Sequence, residues 1–239
     1  MTNPGTRVRR QTRVARILHG SNALVLAILL LSGFALAGNL PVGWVDGLGG
    51  HTGVNTVHRL LGLAFAIVGA VLVMLLRRRL AALGREILRV HSRDFGWPLR
   101  YIRALCSPGD HATLEHDGRF DPLQRAILGL LLLATLVTAA SGVYLYFLPG
   151  APAWVFALAI RAHIYAAWLL LAAVAIHILA GLGLLPTHRG VLRAMFGDGT
   201  VPLATAARLW PGWTRRQTRG TTGKPGRDPT ASDPPSGLV

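Results

Sequence analysis

The chain has 239 residues, of which 51% are hydrophobic and only 15% are charged, and its formal net charge is +15. The charged residues fall in blocks that separate long uncharged stretches, which favours an integral membrane protein over a soluble globular domain. A net charge this high also raises the alternative of nucleic-acid binding, but the arginines flank apolar runs without a basic and aromatic recognition motif. Membrane topology and attraction to anionic lipid explain these arginines, so we expect membrane lipid as a partner and no nucleic acid.

Four stretches without Asp, Glu, Lys or Arg reach or approach the roughly 20 residues that span a bilayer. They predict an all-α fold, a four-helix transmembrane bundle with helices near 17–37, 57–76, 124–147 and 155–185. The rest of the chain is predicted to form a basic arm (1–16), a connection (77–123), an interfacial segment (186–216) and a flexible tail (217–239). Gly, Pro, Thr and Ser dominate the end of that tail, and no apolar periodicity is present there.

The first apolar run ends in Ala35-Leu36-Ala37, which is similar to a signal-peptide cleavage site. The run from Ile17 to Ala37 is longer than the usual apolar core of about 7–15 residues in a signal peptide. We therefore expect it to be retained as the first membrane span.

Basic residues are distributed unequally among the segments between the predicted helices. Five arginines lie in the N-terminal arm, ten lie between 77 and 125, and seven with Lys224 lie after the last span, whereas residues 38–56 contain no Lys or Arg. Because basic segments are retained on the cytoplasmic side, both termini and the 77–123 connection are predicted to be cytoplasmic.

Four histidines fall within the predicted spans. His163 and His177 are fourteen residues apart, so on one helix they leave nearly the same face, about 21 Å apart along the axis. Because helix direction alternates, His58 matches the depth of His163 near the outer surface, and His19 matches the depth of His177 nearer the cytoplasm. Two such imidazole pairs predict two non-covalent b-type haems with two axial histidines each. The single Cys106 excludes c-type attachment and a cysteine-ligated iron–sulfur cluster.

Other interpretations of the histidines remain open. One intramembrane histidine is often a polar group hydrogen-bonded inside a bundle, but four at paired depths favour ligation. A non-haem transporter or anchor could use them for protons or packing, although no internal repeat or broken helix is evident. Solvated or structural roles are expected for the other five histidines: His51, His91, His111, His116 and His188.

Two arginines stand beside the outer histidines, on the side where basic residues are disfavoured. Arg59 follows His58, and Arg161 precedes His163 by two residues. Contact with haem propionates would explain both, as would snorkelling of the long side chains to the headgroups. Arg16 and Arg125 could contact propionates on the inner side, where basic residues are expected in any case.

Residues 12–215 resemble the bacterial di-haem b-type cytochromes, specifically the gamma (cytochrome b) subunit of formate dehydrogenases. Related subunits serve nickel-iron hydrogenases and thiosulfate reductases. The resemblance rests on Arg16-Ile-Leu-His19, Ser32-Gly33, His58-Arg-Leu-Leu-Gly62, Gly118-Arg-Phe-Asp-Pro-Leu-Gln124-Arg125, Ser141-Gly142, His163, His177, Ala194-Met-Phe-Gly-Asp-Gly-Thr-Val201 and Ala206-Ala-Arg-Leu-Trp210.

The resemblance implies an electron-transfer subunit in the bacterial inner membrane rather than a complete enzyme. Electrons would pass from a periplasmic dehydrogenase, through an iron–sulfur subunit, to the outer haem, the inner haem and then quinone. The alternative within the same family is a self-sufficient quinone-linked cytochrome without partner subunits.

The resemblance also implies a quinone site beside the inner haem, at Asp121 and Gln124. Gln124 could equally be a polar residue at a helix start that faces headgroups. The chain departs from the family pattern at Gly20 and Val57, where Trp is common, and at Asp121, where Asn is usual. The acid at 121 could alter quinone choice or proton delivery.

Overall fold

A computed structural model of the chain is a bundle of four long helices with small elements at one end, and it describes residues 6–106, 116, 118–147, 150–183 and 188–222. In chain order the elements are β1 (Arg7–Arg9), α1 (Arg13–Leu36), α2 (Val42–Gly47), α3 (Gly50–Leu75), α4 (Arg77–Ile87), a 3-10 turn (Ser92–Asp94), α5 (Trp97–Cys106), α6 (Pro122–Phe147), α7 (Ala153–Gly181), α8 (Leu192–Phe196), β2 (Thr200–Pro202), α9 (Leu203–Leu209) and α10 (Pro211–Thr222). The helices α1, α3, α6 and α7 contain 24, 26, 26 and 29 residues and are apolar enough to cross a membrane. The predicted all-α membrane bundle is confirmed.

All four long helices begin before the predicted start, α1 and α3 by several residues and α6 and α7 by two, because the first turns of α1, α3 and α6 are polar. Thr12 caps α1, and its hydroxyl accepts a hydrogen bond from the Ala15 N–H at 3.2 Å. α3 begins at Gly50, after Gly49 with φ of 93°, so part of the predicted 38–56 loop is helical. α6 begins at Pro122, where the Asp121 carboxylate accepts the Gln124 N–H at 2.7 Å.

The four helices pack in the spatial order α1, α3, α6, α7, with α6 lying along α7 for most of its length. Small side chains bring α6 and α7 together, since Ala134, Ala166 and Ala173 are buried beside Leu170. Small residues allow close helix contact in lipid, where apolar burial gives no driving force. The outer faces stay apolar, as Leu24, Ile67 and Leu132 are exposed, which fits a lipid environment.

The predicted 77–123 connection contains α4, the 3-10 turn and α5, and it is tied to the start of α6. Arg125 is buried and pairs with Asp94 at 2.8 Å. Arg125 also donates a hydrogen bond to the Arg89 carbonyl. The Arg119 N–H donates to the Glu86 carboxylate at 2.7 Å. Arg125 thus has a structural partner in the connection, which weakens the case for a propionate contact.

The N-terminal arm and the segment after α7 fold together into one unit, the terminal cap, formed by β1, β2, α8, α9 and α10. β1 and β2 pair antiparallel, with Val8 opposite Val201. The core of the cap includes Val201, Ala206, Leu209 and Trp210. Because β1 and β2 join one cap, the start of α1 and the end of α7 lie at the same end of the bundle.

A buried arginine crosses the cap. The Arg10 guanidinium lies 4.2 Å from the Trp210 ring centroid and 4.5 Å from that of Trp213, and it donates to the Arg119 carbonyl at 2.8 Å. Burial, together with the charge of Arg119, lowers the pKa of Arg10 to about 9, which still leaves it charged at neutral pH. Cation–π contacts replace the solvation that this charge loses.

Two of the histidines expected to be structural are buried near the cap. His116 Nε2 donates to the Leu209 carbonyl at 2.7 Å. His188 Nδ1 lies 3.2 Å from the Tyr101 hydroxyl of α5. His51 and His91 are exposed, while His111, residues 184–185 of predicted helix four and the tail from 223 lie outside the described residues.

The buried His188 predicts that cap stability falls in acid. Burial lowers its pKa to about 4, so between about pH 6.5 and pH 4 the unfolded chain takes up a proton that the folded cap does not. Stability therefore decreases as pH falls through this range, by on the order of 2 kcal/mol at pH 4.5. Amide hydrogen exchange of residues 188–222 at pH 7 and pH 4.5 measures the change.

His188→Gln should lose most of this pH dependence, whereas His51→Gln, which changes an exposed histidine on α3, should keep it. Equal pH dependence in the two variants would contradict the assignment to His188.

Candidate functional site

The structure brings the four intramembrane histidines together as two facing pairs. The ring centroids of His58 on α3 and His163 on α7 are 6.2 Å apart, with 86° between the ring planes. Those of His19 on α1 and His177 on α7 are 6.0 Å apart at 76°. The ring centroid of His19 also lies 6.2 Å from that of Phe196 in the cap. We therefore call His19 and His177 the cap-side pair, and His58 and His163 the far pair.

The ring spacing suits a metal ion held between the two imidazoles of each pair. With a metal–nitrogen distance of about 2.0 Å, two imidazoles on opposite sides of one metal have centroids about 6.3 Å apart. Among the described residues, no group of three or more His, Cys, Asp or Glu side chains could hold a metal ion. The protein thus offers two ligands per site, as a metal whose other ligands come from a macrocycle requires.

A cavity of about 500 Å³ lies between the four long helices at the far pair, and it is lined by His58, Arg59 and His163 together with apolar side chains. This volume lies within the usual range of cofactor sites, about 300–1,000 Å³. The apolar lining with one cation fits a flat apolar group that carries carboxylates.

Each histidine of the far pair is held by a Ser-Gly pair on the adjacent helix. The Ser32 hydroxyl on α1 lies 2.9 Å from His58 Nδ1, and the Ser141 hydroxyl on α6 lies 3.2 Å from His163 Nδ1. His163 Nδ1 also donates to the Thr138 carbonyl at 2.9 Å. The sequence marks both Ser-Gly pairs as family motifs, but it does not reveal their contact with the histidines.

The cap-side pair has a half-buried cation close in sequence. Arg16 precedes His19 by three residues, so the two lie on one face of α1. The Nε atom of Arg16 is buried and has no hydrogen-bond partner among the described residues. Such an unpartnered buried donor fits an anionic group of a cofactor at this pair.

The two arginines expected beside the far pair are both exposed but differ in position. Arg59 lines the cavity and lies over the Tyr146 ring, 5.0 Å from its centroid, and it also donates to the Tyr146 carbonyl at 3.4 Å. Arg161 does not line the cavity. Arg59 is therefore placed to meet a carboxylate there, while the position of Arg161 fits snorkelling better.

Asp121 and Gln124 both have protein partners at the start of α6. Asp121 is buried and caps the helix, and burial raises the pKa of its carboxyl group against the opposing effects of Gln124, His116, Leu123 and Arg125. The Gln124 side-chain oxygen accepts a hydrogen bond from the Trp210 indole N–H at 2.9 Å. These contacts account for both residues structurally, and the quinone role stays a prediction.

Four membrane-length helices that carry two stacked pairs of facing histidines define a membrane protein of the cytochrome class. Residues 10–198 match the family described as prokaryotic cytochrome b561. Since the match covers most of the chain, the protein belongs to the prokaryotic cytochrome b561 family, whose membrane proteins bind b-type haem and transfer electrons. The predicted resemblance to bacterial b-type cytochromes related to hydrogenase subunits is confirmed, and the family places the protein in the bacterial inner membrane. No curated protein matches the chain.

The close approach of α6 to His163 predicts that Gly142→Ala lowers haem content. A Cβ atom at 142 would lie 3.0 Å from His163 Cε1, so the ring would have to move. Gly33→Ala should have a smaller effect, because its Cβ would lie 3.3 Å from His58 Cε1. The measurement is b-type haem per chain in purified protein, by the pyridine haemochrome spectrum.

Gly69→Ala on α3 is the matched control, since no heavy atom lies within 4 Å of a Cβ there. Haem content in Gly142→Ala equal to that in Gly69→Ala would contradict the prediction.

Proposed function

We propose that this protein is the membrane-anchoring di-haem cytochrome b subunit of a respiratory oxidoreductase resembling formate dehydrogenase. It relays electrons between a periplasmic dehydrogenase and the quinone pool. The proposal rests on the two facing histidine pairs, whose ring centroids are 6.0 Å and 6.2 Å apart. Each pair takes one histidine from α7. Electron transfer across a bilayer needs such stacked sites, and α7 separates His163 from His177 by about 21 Å.

In this proposal each histidine pair would hold one haem. His58 and His163 would hold the haem nearer the far end, and His19 and His177 would hold the haem nearer the cap. Two b-type haems, when bound, would supply one-electron redox chemistry. With two histidines for each haem, the sites would favour electron transfer over oxygen chemistry.

The polar residues around the pairs orient the bound group. Arg59 lines the cavity of the far pair and is assigned to a propionate, and Arg16, whose Nε atom is buried, takes the same role at the cap-side pair. Arg161 is assigned to a propionate at the edge of the far site. Its alternative role is to extend its charge to the lipid headgroups. The apolar helix faces exclude water from the sites.

The distribution of charge supports an orientation with the cap in the cytoplasm. Of the 24 arginines in the chain, only Arg59, Arg125 and Arg161 lie outside the arm, the connection and the segment after α7, and Arg125 stands two residues after the connection. Basic segments near spans are retained on the cytoplasmic side. The cap-side pair then lies in the cytoplasmic half of the membrane, and the far pair lies toward the periplasm and the partner subunits.

Quinone exchange is assigned to the cap-side end, near Asp121 and Gln124. Asp121 is buried, and its raised pKa brings the carboxyl closer to proton exchange near neutral pH. This supports a proton path from the cytoplasm to a quinone. The iron–sulfur and dehydrogenase subunits are assigned to the opposite end of the bundle.

Haem stoichiometry tests the central proposal. Purified wild-type protein should contain two b-type haems per chain, and His58→Ala and His19→Ala should each contain about one, because each variant removes one axial ligand. Pyridine haemochrome and reduced-minus-oxidised spectra give the counts. His51→Ala, an exposed histidine on α3, is the control and should keep both haems. Well-folded wild-type protein that contains little haem, although haem was supplied during expression, would overturn the proposal.

A second experiment tests the quinone assignment. Gln124→Leu should slow haem reduction by a soluble quinol analogue in purified protein, measured by stopped-flow absorbance. Trp210→Phe is the matched control, because it removes the same Gln124–Trp210 hydrogen bond and leaves the amide in place. A rate that falls equally in both variants would assign Gln124 to holding the cap and would contradict its quinone role.

A further inference from the structure

We propose that Ser32-Gly33 and Ser141-Gly142 are matched positioning units that fix the tautomer and ring orientation of His58 and His163, and that they lower the reduction potential of the far haem. This inference rests on the proposed function and deepens it. It assigns roles to four residues that do not themselves bind the metal.

The tautomer of His163 follows from its carbonyl partner. A carbonyl oxygen only accepts hydrogen bonds, so the 2.9 Å contact from His163 Nδ1 to the Thr138 carbonyl places the ring proton on Nδ1. The other ring nitrogen, Nε2, then carries the lone pair. It is the nitrogen able to bind a metal.

The serine hydroxyls act in the same sense, because each donates its own proton along its helix. Ser32 donates to the Ile28 carbonyl at 2.7 Å, and Ser141 donates to the Val137 carbonyl at 2.6 Å. Their oxygen lone pairs remain available to accept from the histidine Nδ1–H. For His58, the Ser32 hydroxyl lies 2.9 Å from Nδ1, and the Leu29 carbonyl is a second hydrogen-bond partner of the ring.

The glycines provide the space that this contact needs. A Cβ atom at Gly33 would lie 3.3 Å from His58 Cε1 and 3.9 Å from Nδ1, and one at Gly142 would lie 3.0 Å and 3.4 Å from the same atoms of His163. The Nδ1–Cε1 edge of each ring therefore lies directly on the helix backbone of its neighbour. A Cβ atom at either position would require the ring to move by a few tenths of an ångström.

The same unit occurs twice, once in each half of the bundle. α1 presents Ser-Gly to the histidine of α3, and α6 presents Ser-Gly to the histidine of α7. The repetition involves both ligands of one pair. Within the part of the chain that the structure describes, neither ring nitrogen of His19 or His177 has such a hydrogen bond.

The expected consequence is electronic as well as geometric. When a neighbouring oxygen accepts a hydrogen bond from the Nδ1–H of a ligating imidazole, the imidazole becomes a more basic ligand. A more basic axial ligand favours the oxidised, more positively charged metal, and so lowers the reduction potential. The far haem would then give up its electron more readily, which favours transfer toward the cap-side pair.

The test is redox titration of Ser32→Ala and Ser141→Ala in a His19→Ala background, where the proposed function leaves only the far haem. Both variants should shift the midpoint potential upward. The two shifts should be similar in size, because His163 keeps the Thr138 carbonyl and His58 keeps the Leu29 carbonyl as backbone partners. The expected change in the reduced-to-oxidised ratio is about threefold to tenfold for loss of one hydrogen bond, and tenfold corresponds to about 59 mV for one electron.

Ser21→Ala is the matched control, since Ser21 is an exposed serine on α1 and its loss should leave the potential unchanged. Potentials of Ser32→Ala and Ser141→Ala equal to that of Ser21→Ala would overturn the inference. Ser32→Ala could also lose its haem in the His19→Ala background. If Ser21→Ala on the wild-type background then keeps both haems, this loss would support positioning by Ser32. If Ser32→Ala does not accumulate, Ser141→Ala gives the same comparison.

The outcome is separable from that of the proposed function. Wild-type protein without two haems would overturn the proposed function itself. Two haems with unchanged potentials in both serine variants would leave the electron-relay proposal standing and overturn only the role of the Ser-Gly units.

Discussion

Two imidazoles that face each other across an apolar bundle, with ring centroids about 6 Å apart, are the constraint on which this structure depends. Polar rings are costly in hydrocarbon unless they have a partner, and the spacing is too wide for a direct hydrogen bond and right for a shared metal. α7 supplies one ring to each pair, so α1 and α3 must both approach it at set depths. The buried alanines of α6 and α7, and the glycines beside His58 and His163, make that close approach possible.

The terminal cap links this membrane framework to the ends of the chain. Pairing of β1 with β2 joins the N-terminal arm to the segment after α7, so α1 and α7 are connected at the end where His19 and His177 lie. Arg10, held between Trp210 and Trp213, and Arg125, paired with Asp94, show that part of the positive charge is structural. Basic residues therefore hold the cap together and tie the connection to the start of α6.

The start of α6 is where structural and functional demands meet. Asp121 caps the helix and Gln124 binds Trp210, so both residues have work in the fold before any quinone is considered. A quinone that reached Gln124 would compete with the indole of Trp210 for its side-chain oxygen. In such a site, quinone binding and the packing of the cap on α6 would be coupled.

The four spans, the shared face of His163 and His177 and the matching depths of His58 and His19 could all be predicted from the sequence. Each depends on local hydrophobicity and on the helical period, which act along the chain. Helix starts were less accessible, because Thr12, Gly50 and Pro122 lie in polar turns that a search for apolar spans passes over. The difference between Arg59, which lines the cavity, and Arg161, which does not, also needed the structure.

The sequence by itself thus determined the class of protein and the depths at which the four histidines lie in the bundle. The tertiary structure decided which neighbours those histidines have: Ser32 for His58, Ser141 for His163 and Phe196 for His19. It also decided that Arg7–Arg9 pairs with Thr200–Pro202, almost two hundred residues later. Such contacts depend on how each helix is rotated about its axis and on which helices are adjacent, and neither property is encoded in the periodicity of a single segment.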